Sequence, residues 1–172
     1  MNEIDDLYFG FVAEDYTNYK TLSIVETLTA GSFGNILTID PNMKNHFLGG
    51  MTSYSTKTQH DILKIDKSYA DQITALQMAK NVAKIFNSEI GISNIGYTIP
   101  NIIPNYLTEP CATIKPFAYI CLYDVKQDFH KIYHFINDDY DNTKAPRILH
   151  GNMKIQVALR CKAIYEEYIN SI

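Results

Sequence analysis

Cysteine is scarce in this 172-residue chain. Cys111, Cys121 and Cys161 are odd in number and show no CxxC spacing, which argues against a disulfide framework or a structural zinc site. They read as reduced, packed thiols. Positive charge is also short: 15 Lys and Arg stand against 19 Asp and Glu, for a formal net charge of −4. The chain has no basic stripe, and its tyrosines are not interleaved with Lys or Arg clusters, so no nucleic-acid partner is expected. No apolar run approaches the roughly 20 residues that cross a bilayer. The acidic start, Met1-Asn2-Glu3-Ile4-Asp5-Asp6, has no apolar signal-peptide core. These absences imply a cytoplasmic protein without a membrane partner. P-loop, GxGxxG and nucleophile-elbow patterns are missing too, and no cofactor motif stands in their place. There is no internal repeat, low-complexity tract or linker. The expectation is one domain over residues 1–172.

What is present is a chain with 46% hydrophobic and 20% charged residues, enough apolar material for a sizeable core. Ile4, Leu7, Tyr8, Phe11 and Val12 at helical spacing predict an amphipathic helix over residues 3–15. A buried strand is predicted over 22–26, carrying β-branched Ile24 and Val25. A helix over 31–37 follows, stopping at the turn Asp40-Pro41-Asn42. Residues 47–54 read as a second strand whose paired Gly49 and Gly50 admit a close neighbour. Ser55-Thr56 caps a short helix over 57–64 with Ile62 and Leu63 as core contacts. Asp66 and Ser68 are candidate caps for a long helix over 69–86, with Ala75, Met78, Ala79, Val82, Ile85 and Phe86 in one stripe.

A third strand over 89–95 ends in Gly96-Tyr97. A Pro- and Asn-rich loop runs from 98 to 115, a length that in compact domains goes with function or motion. Two strands over 116–125 and 128–136 are joined too tightly for a parallel crossover. A helix over 152–169 closes the chain, facing inward with Ile155, Ala158, Cys161, Tyr165 and Ile169. Strands alternating with helices, then a hairpin and a helix, predict an α/β fold: a three-layer α/β/α sandwich on a mixed sheet.

The most informative stretch is Ser23-Ile24-Val25-Glu26-Thr27-Leu28-Thr29-Ala30-Gly31, an apolar strand running through a small-residue turn into a helix. Such a turn places side chains and free N–H groups at a sheet edge where α/β proteins bind ligands. Together with Phe47-Leu48-Gly49-Gly50-Met51-Thr52-Ser53-Tyr54-Ser55, in this order and at this spacing, it resembles the CinA C-terminal-type family. The family's patterns are Ala-Glu-Ser-Cys-Thr-Gly-Gly and Phe-x-Gly-Gly-x-x-x-Tyr-Ser. The resemblance extends over about residues 7–169.

The resemblance implies hydrolysis of the carboxamide of a nicotinamide nucleotide without metal or cofactor. A serine hydroxyl attacks, a Tyr and a Lys move protons, and small-residue loops hold the nucleotide. Carried over, the catalytic candidates are Thr27 at the nucleophile position, Tyr54 as proton-transfer partner and Glu26 as support. The binding candidates are Thr29, Gly31, Gly49, Gly50, Ser55, Gln59, Ser93, Asn94 and Gly96. The resemblance also implies a homo-oligomer.

The chain departs from the family in four segments. Thr27 keeps the hydroxyl but adds a methyl that restricts χ1. Gln59 stands where the family has its lysine, and an amide is no general base. Lys57, two residues away, is rotated about 200° around a helix. The family's Thr/Ser-Gly-Ile-Ala-Gly-Pro loop appears as Ser93-Asn94-Ile95-Gly96-Tyr97-Thr98, so side chains replace two glycines. Its Gly-Asp-Arg appears as Gly151-Asn152-Met153, without the cation expected for a phosphate, although Arg147 and Lys154 lie nearby.

Two readings follow: an amidase with lost or altered catalysis, or a non-catalytic nucleotide-binding or protein-interaction module. Glu26, Thr27, Thr29 and Tyr54 also have a plain packing role, as caps and hydrogen-bond partners at the sheet edge. Elsewhere, His130 and His134 share a strand face, with Asp128 and Asp138 as nominal companions, and read as a surface pair and not a metal site. Asp138, Asp139 and Asp141 lack the glycine and terminal Glu of a calcium loop.

Overall fold

The structure is a computed structural model describing residues 19–66, 68–99, 101–102, 113–138, 143–144 and 146–172. The helix predicted over 3–15 lies outside the described residues, as do Cys111 and most of the 98–115 loop. Seven strands and four α-helices are seen among the described residues. In chain order they are β1 (Leu22–Glu26), α1 (Ser32–Ile39), β2 (Phe47–Thr52), α2 (Thr56–Asp61), α3 (Gln72–Phe86), β3 (Ile90–Tyr97), β4 (Asn101–Ile102), β5 (Thr113–Ile114), β6 (Phe117–Asp124), β7 (Phe129–Ile136) and α4 (Pro146–Ile169).

Five strands form one sheet in the order β2-β1-β3-β6-β7, and β4 pairs with β5 in a separate two-stranded piece. β1 runs parallel to both β2 and β3, whereas β3/β6 and β6/β7 are antiparallel. The sheet is mixed, as the alternation of elements predicts. β1 is buried along its whole length, which is why it reads as a continuous apolar run. Its side chains alternate between two cores. Leu22 and Ile24 join α1 and α4 on one face through Phe33, Leu37, Met153, Val157 and Tyr165. Val25 joins α3 on the other through Ala75, Met78, Ala79 and Val82. Helices on both faces complete the three-layer sandwich.

The chain after β1 passes over one face and the chain after β2 over the other, so the order β2-β1-β3 reverses direction beside β1. The carboxyl ends of β1 and β3 flank that reversal, where open α/β sheets bind ligands. β1 pairs with β3 only from Leu22↔Ile90 to Glu26↔Asn94. The last residues of β3, Ile95 to Tyr97, overhang the end of β1 and pair with β6 alone.

Several boundaries differ from the sequence expectation. α3 starts at Gln72 and is capped by Asp71, whose side chain accepts from Thr74 N, and not by Asp66 or Ser68. α4 starts at Pro146, not at 152; proline suits a first helical turn because its missing N–H has no intrahelical partner there. On α4 Ile155 is exposed, and Leu149, Met153, Val157 and Ile164 carry the inner face with the expected Ala158, Cys161, Tyr165 and Ile169. Ile62 and Ile85 are also exposed, while Leu63 is buried as expected.

Candidate functional site

The turn after β1 is built around one carboxylate. Ala30 (φ 50°) and Gly31 (φ 99°) take successive left-handed conformations that swing the chain into α1. The first N–H groups of a helix have no intrahelical partner, and here Glu26 supplies one from inside the protein. Its Oε2 accepts from Gly31 N at 2.9 Å and Phe33 N at 3.1 Å, and its Oε1 from Gly34 N at 3.0 Å. Thr29 Oγ1 lies 2.5 Å from Glu26 Oε2 and 3.0 Å from Asn94 Oδ1. With one proton to give, it donates to the charged acceptor, the stronger of the two. Asn94 Oδ1 takes Thr29 N at 3.1 Å. The N-terminus of α1 is thus filled by an internal anion.

Thr27 is the next residue along. Its Oγ1 donates to Asn94 O at 2.9 Å, and its backbone N–H donates to the same carbonyl at 3.1 Å. It lines two adjoining pockets of about 350 and 230 Å³, which share Thr27, Tyr54, Gly96 and Tyr97 and form one groove. Tyr54 is 78% exposed. Tyr97, at a family glycine position, lines both halves, and its ring meets Phe117 edge to face with the centroids 5.6 Å apart.

Gln59 forms part of the wall as a brace. Buried, it donates Nε2 to Ser53 O at 2.9 Å and accepts through Oε1 from Ser68 Oγ. Lys57 points to solvent and pairs with Asp61, as the rotation of two residues around a helix requires. Ser55 caps α2, accepting from Thr58 N at 3.1 Å.

The candidate residues therefore divide. Thr27, Tyr54, Gln59 and Gly96 meet at the groove. Glu26, Gly31 and Gly50 border a different one of about 280 Å³ on the α1 side of β1 and β2. Thr29, Ser93 and Asn94 are fully buried between, with Ser93 Oγ donating to Ala75 O at 2.6 Å. Gly49 (φ 138°) serves packing: a Cβ there would sit 2.8 Å from the Phe86 ring. One at Gly50 would sit 2.3 Å from Ile24 Cγ1.

The groove is also lined by residues beyond the binding candidates, among them Ser68, expected as a helix cap, and Lys154, one of two cations expected nearby. Ser68, Tyr69 and Ala70 line its larger half, and Thr98, Ile99 and His150 its smaller half, with Lys154 beside them. Thr98 Oγ1 is hydrogen-bonded to His150 Nδ1. His150 and Lys154 share a face of α4 by their i, i+4 spacing. A helix over 152–169 includes Lys154 but not His150, so the pairing shows only with α4 beginning at Pro146. Arg147 is exposed and does not line the groove. His130 and His134 do share a sheet face, opposite Tyr123 and Tyr119, and the His134 ring stacks on Tyr119 at 4.5 Å. Among the described residues no three His, Cys, Asp or Glu side chains form a metal-binding group, and no helix is long and apolar enough to cross a membrane.

With this geometry in place, a family model described as the CinA C-terminal domain matches residues 11–105, more than half of the chain. The chain belongs to the CinA C-terminal domain family. Competence-damage inducible proteins of Listeria innocua and Bacillus mycoides are similar to it, at 33% identity over 100 residues and 26% over 117. Those matches cover 55% and 59% of this chain but 23% and 28% of the relatives, so the chain spans about a quarter of the length of the curated relatives it matches. A CinA superfamily protein of Klebsiella pneumoniae shares the fold with a TM-score of 0.67 over 89% of both chains at 12% identity. A competence/damage inducible protein of Agrobacterium tumefaciens does so at 0.63 over 86% of both, at 16% identity. The likeness to these solved structures, at 12% and 16% identity, is one of fold.

Proposed function

We propose that this CinA-type domain binds a nicotinamide nucleotide or a related small molecule in the groove over Thr27, and that carboxamide hydrolysis by Thr27 has been lost. The observation that carries this is the state of the Thr27 hydroxyl. Its proton is directed at the Asn94 carbonyl, an acceptor that cannot take a proton at neutral pH, and a hydroxyl nucleophile needs a neighbouring base. At the family lysine position, Gln59 is held by Ser53 O and Ser68 and has no basicity to offer. Tyr54 at the mouth, with Gly96 and Tyr97, remains placed to contact a ligand. Glu26, Thr29, Asn94 and Gly31 form the frame of the turn.

Incubating the full chain with nicotinamide mononucleotide tests both halves. Thermal-shift or calorimetric titration is expected to show saturable binding, weakened by Tyr54→Ala. Ammonia release dependent on Thr27 is expected to be absent. A flat titration across a panel of nucleotides overturns the binding half and favours the second reading, a protein-interaction module, for which exposed Tyr54 and Tyr69 are the supporting observation. A single domain, a cytoplasmic location and self-association accompany the proposal. Light scattering on the purified chain tests the last.

A further inference from the structure

We propose that the reactive hydroxyl of this groove is that of Thr98, with His150 as its general base, and that the pair acts on small anionic carboxylic esters or amides. The contrast between two threonines in one pocket carries the argument. Thr27 Oγ1 faces a backbone carbonyl. Thr98 Oγ1 faces an imidazole nitrogen, His150 Nδ1. Only the second arrangement pairs a weak nucleophile with a group that can accept its proton. Thr98 follows the overhanging end of β3 and His150 lies near the start of α4. Both are half-buried and border the same space of about 230 Å³. That space suits a small acyl group, and it adjoins the larger half of the groove, with which it shares Thr27, Tyr54, Gly96 and Tyr97.

Lys154, one helical turn beyond His150, lines the same space. Its ammonium supplies a positive charge at that end of the space. A substrate carrying a carboxylate or phosphate is drawn to that end, which places its carbonyl beside Thr98. The Thr98 oxygen then bonds to the carbonyl carbon while its proton moves to His150 Nδ1. The carbon–oxygen or carbon–nitrogen bond to the leaving group breaks, and that group departs with the proton from His150. An acyl ester remains on Thr98. Water gives a proton to His150 Nδ1 as its oxygen bonds to the acyl carbon. The bond from that carbon to Thr98 Oγ1 then breaks, the proton passes from His150 to Thr98 Oγ1, and the carboxylic acid leaves. The proposal needs only this pocket, so it stands or falls apart from nucleotide binding at Thr27.

The test treats the full chain with mono-4-nitrophenyl glutarate and with 4-nitrophenyl acetate, following nitrophenolate release, intact mass and peptide mapping. A single acyl adduct on Thr98 is expected, forming at least tenfold faster with the anionic probe. Thr98→Val and His150→Ala should each slow acylation about 10²-fold or more, Thr98→Ser should restore it, and Lys154→Met should slow the anionic probe more than the neutral one. Thermal unfolding curves identify any variant that has lost its fold, and the remaining variant then decides. An adduct on Lys154 or Thr27, label no greater than on heat-denatured chain, or unchanged rates in both folded variants overturns the proposal.

Discussion

Glu26 holds the first turn of α1 in place of water or a cap residue, and its carboxylate accepts backbone N–H groups on both oxygens. Glu26→Gln keeps the shape but turns an amide NH₂ toward at least one of those donors. It is expected to lower stability by about 1–3 kcal/mol, measured by urea unfolding. An unchanged midpoint would remove Glu26 from the frame. Ser53 presents the opposite situation, since among the described residues its buried Oγ has no hydrogen-bond partner. Ser53→Ala should be neutral or stabilising by up to about 1 kcal/mol, because an unsatisfied buried hydroxyl costs free energy; a clear loss of stability in the same experiment would contradict this. Cys121 and Cys161 are both buried. Burial pushes the Cys121 thiol up to about 12, and burial followed by the nearby Glu26 charge raises Cys161 as well. Neither forms thiolate at pH 8, so both should resist a disulfide reagent until the chain is unfolded. Rapid native labelling at either, located by peptide mapping, would be inconsistent with that packing.

At the scale of elements, the seat of α3 on the sheet depends on a missing side chain. A Cβ at Gly91 would lie 2.0 Å from Ala79 O, inside the helix backbone. Gly91→Ala must push helix from strand, and a loss of about 2–3 kcal/mol or more is expected; a neutral substitution in urea unfolding would contradict the close approach. The elements themselves were largely legible because their signals are local. β1 announces its two-sided burial by an unbroken apolar run, and the hairpin β6–β7 by its tight connection. Helix starts were less legible. The stretch Asp66, Ser68, Asp71 offers three caps within six positions, and tertiary contacts choose among them. Burial of Leu63 and Ile65 and the bond from Tyr69 N to Thr74 Oγ1 delay α3 until Asp71. In α4, Gly151 resembles a helix boundary. A Cβ there would meet nothing within 4 Å, so the glycine costs only helix propensity, about 1 kcal/mol, and the helix runs through it.

Across the whole molecule, Asp124 ties together distant parts of the chain. It accepts from Lys20 Nζ before β1, from Gln127 N in the hairpin at 3.0 Å and from Tyr168 Oη at the end of α4 at 2.8 Å. Burial raises its pKa, but these donors outweigh burial and hold it below the usual carboxylate value. A depressed folded pKa contributes stability that is complete above the unfolded value of about 3.9 and disappears as pH falls through the folded value. Urea midpoints should therefore be flat in this contribution from pH 7 to 5 and fall below about pH 4. Asp124→Asn should lower neutral stability by about 3 kcal/mol and shrink the acid-side loss. An acid limb unaltered in the variant would assign the pH dependence elsewhere.

The site obeys the same division between local and distant signals. The turn from Glu26 to Gly31 could be read because its residues are consecutive and their types follow from the geometry. The contact of Thr98 with His150 spans 52 positions and exists only because α4 begins at Pro146 and brings that face to the end of β3. No local pattern marks it. Likewise, Gln59 and Thr27 could be seen to depart from the family pattern, but where the Thr27 proton points was visible only once β3 had set Asn94 O beside it. That placement underlies the account of function, and the most direct measurement is ammonia release from nicotinamide mononucleotide by the wild-type chain and Thr27→Ala side by side. The account predicts identical traces for the two proteins. Turnover by the wild type that Thr27→Ala abolishes would contradict it.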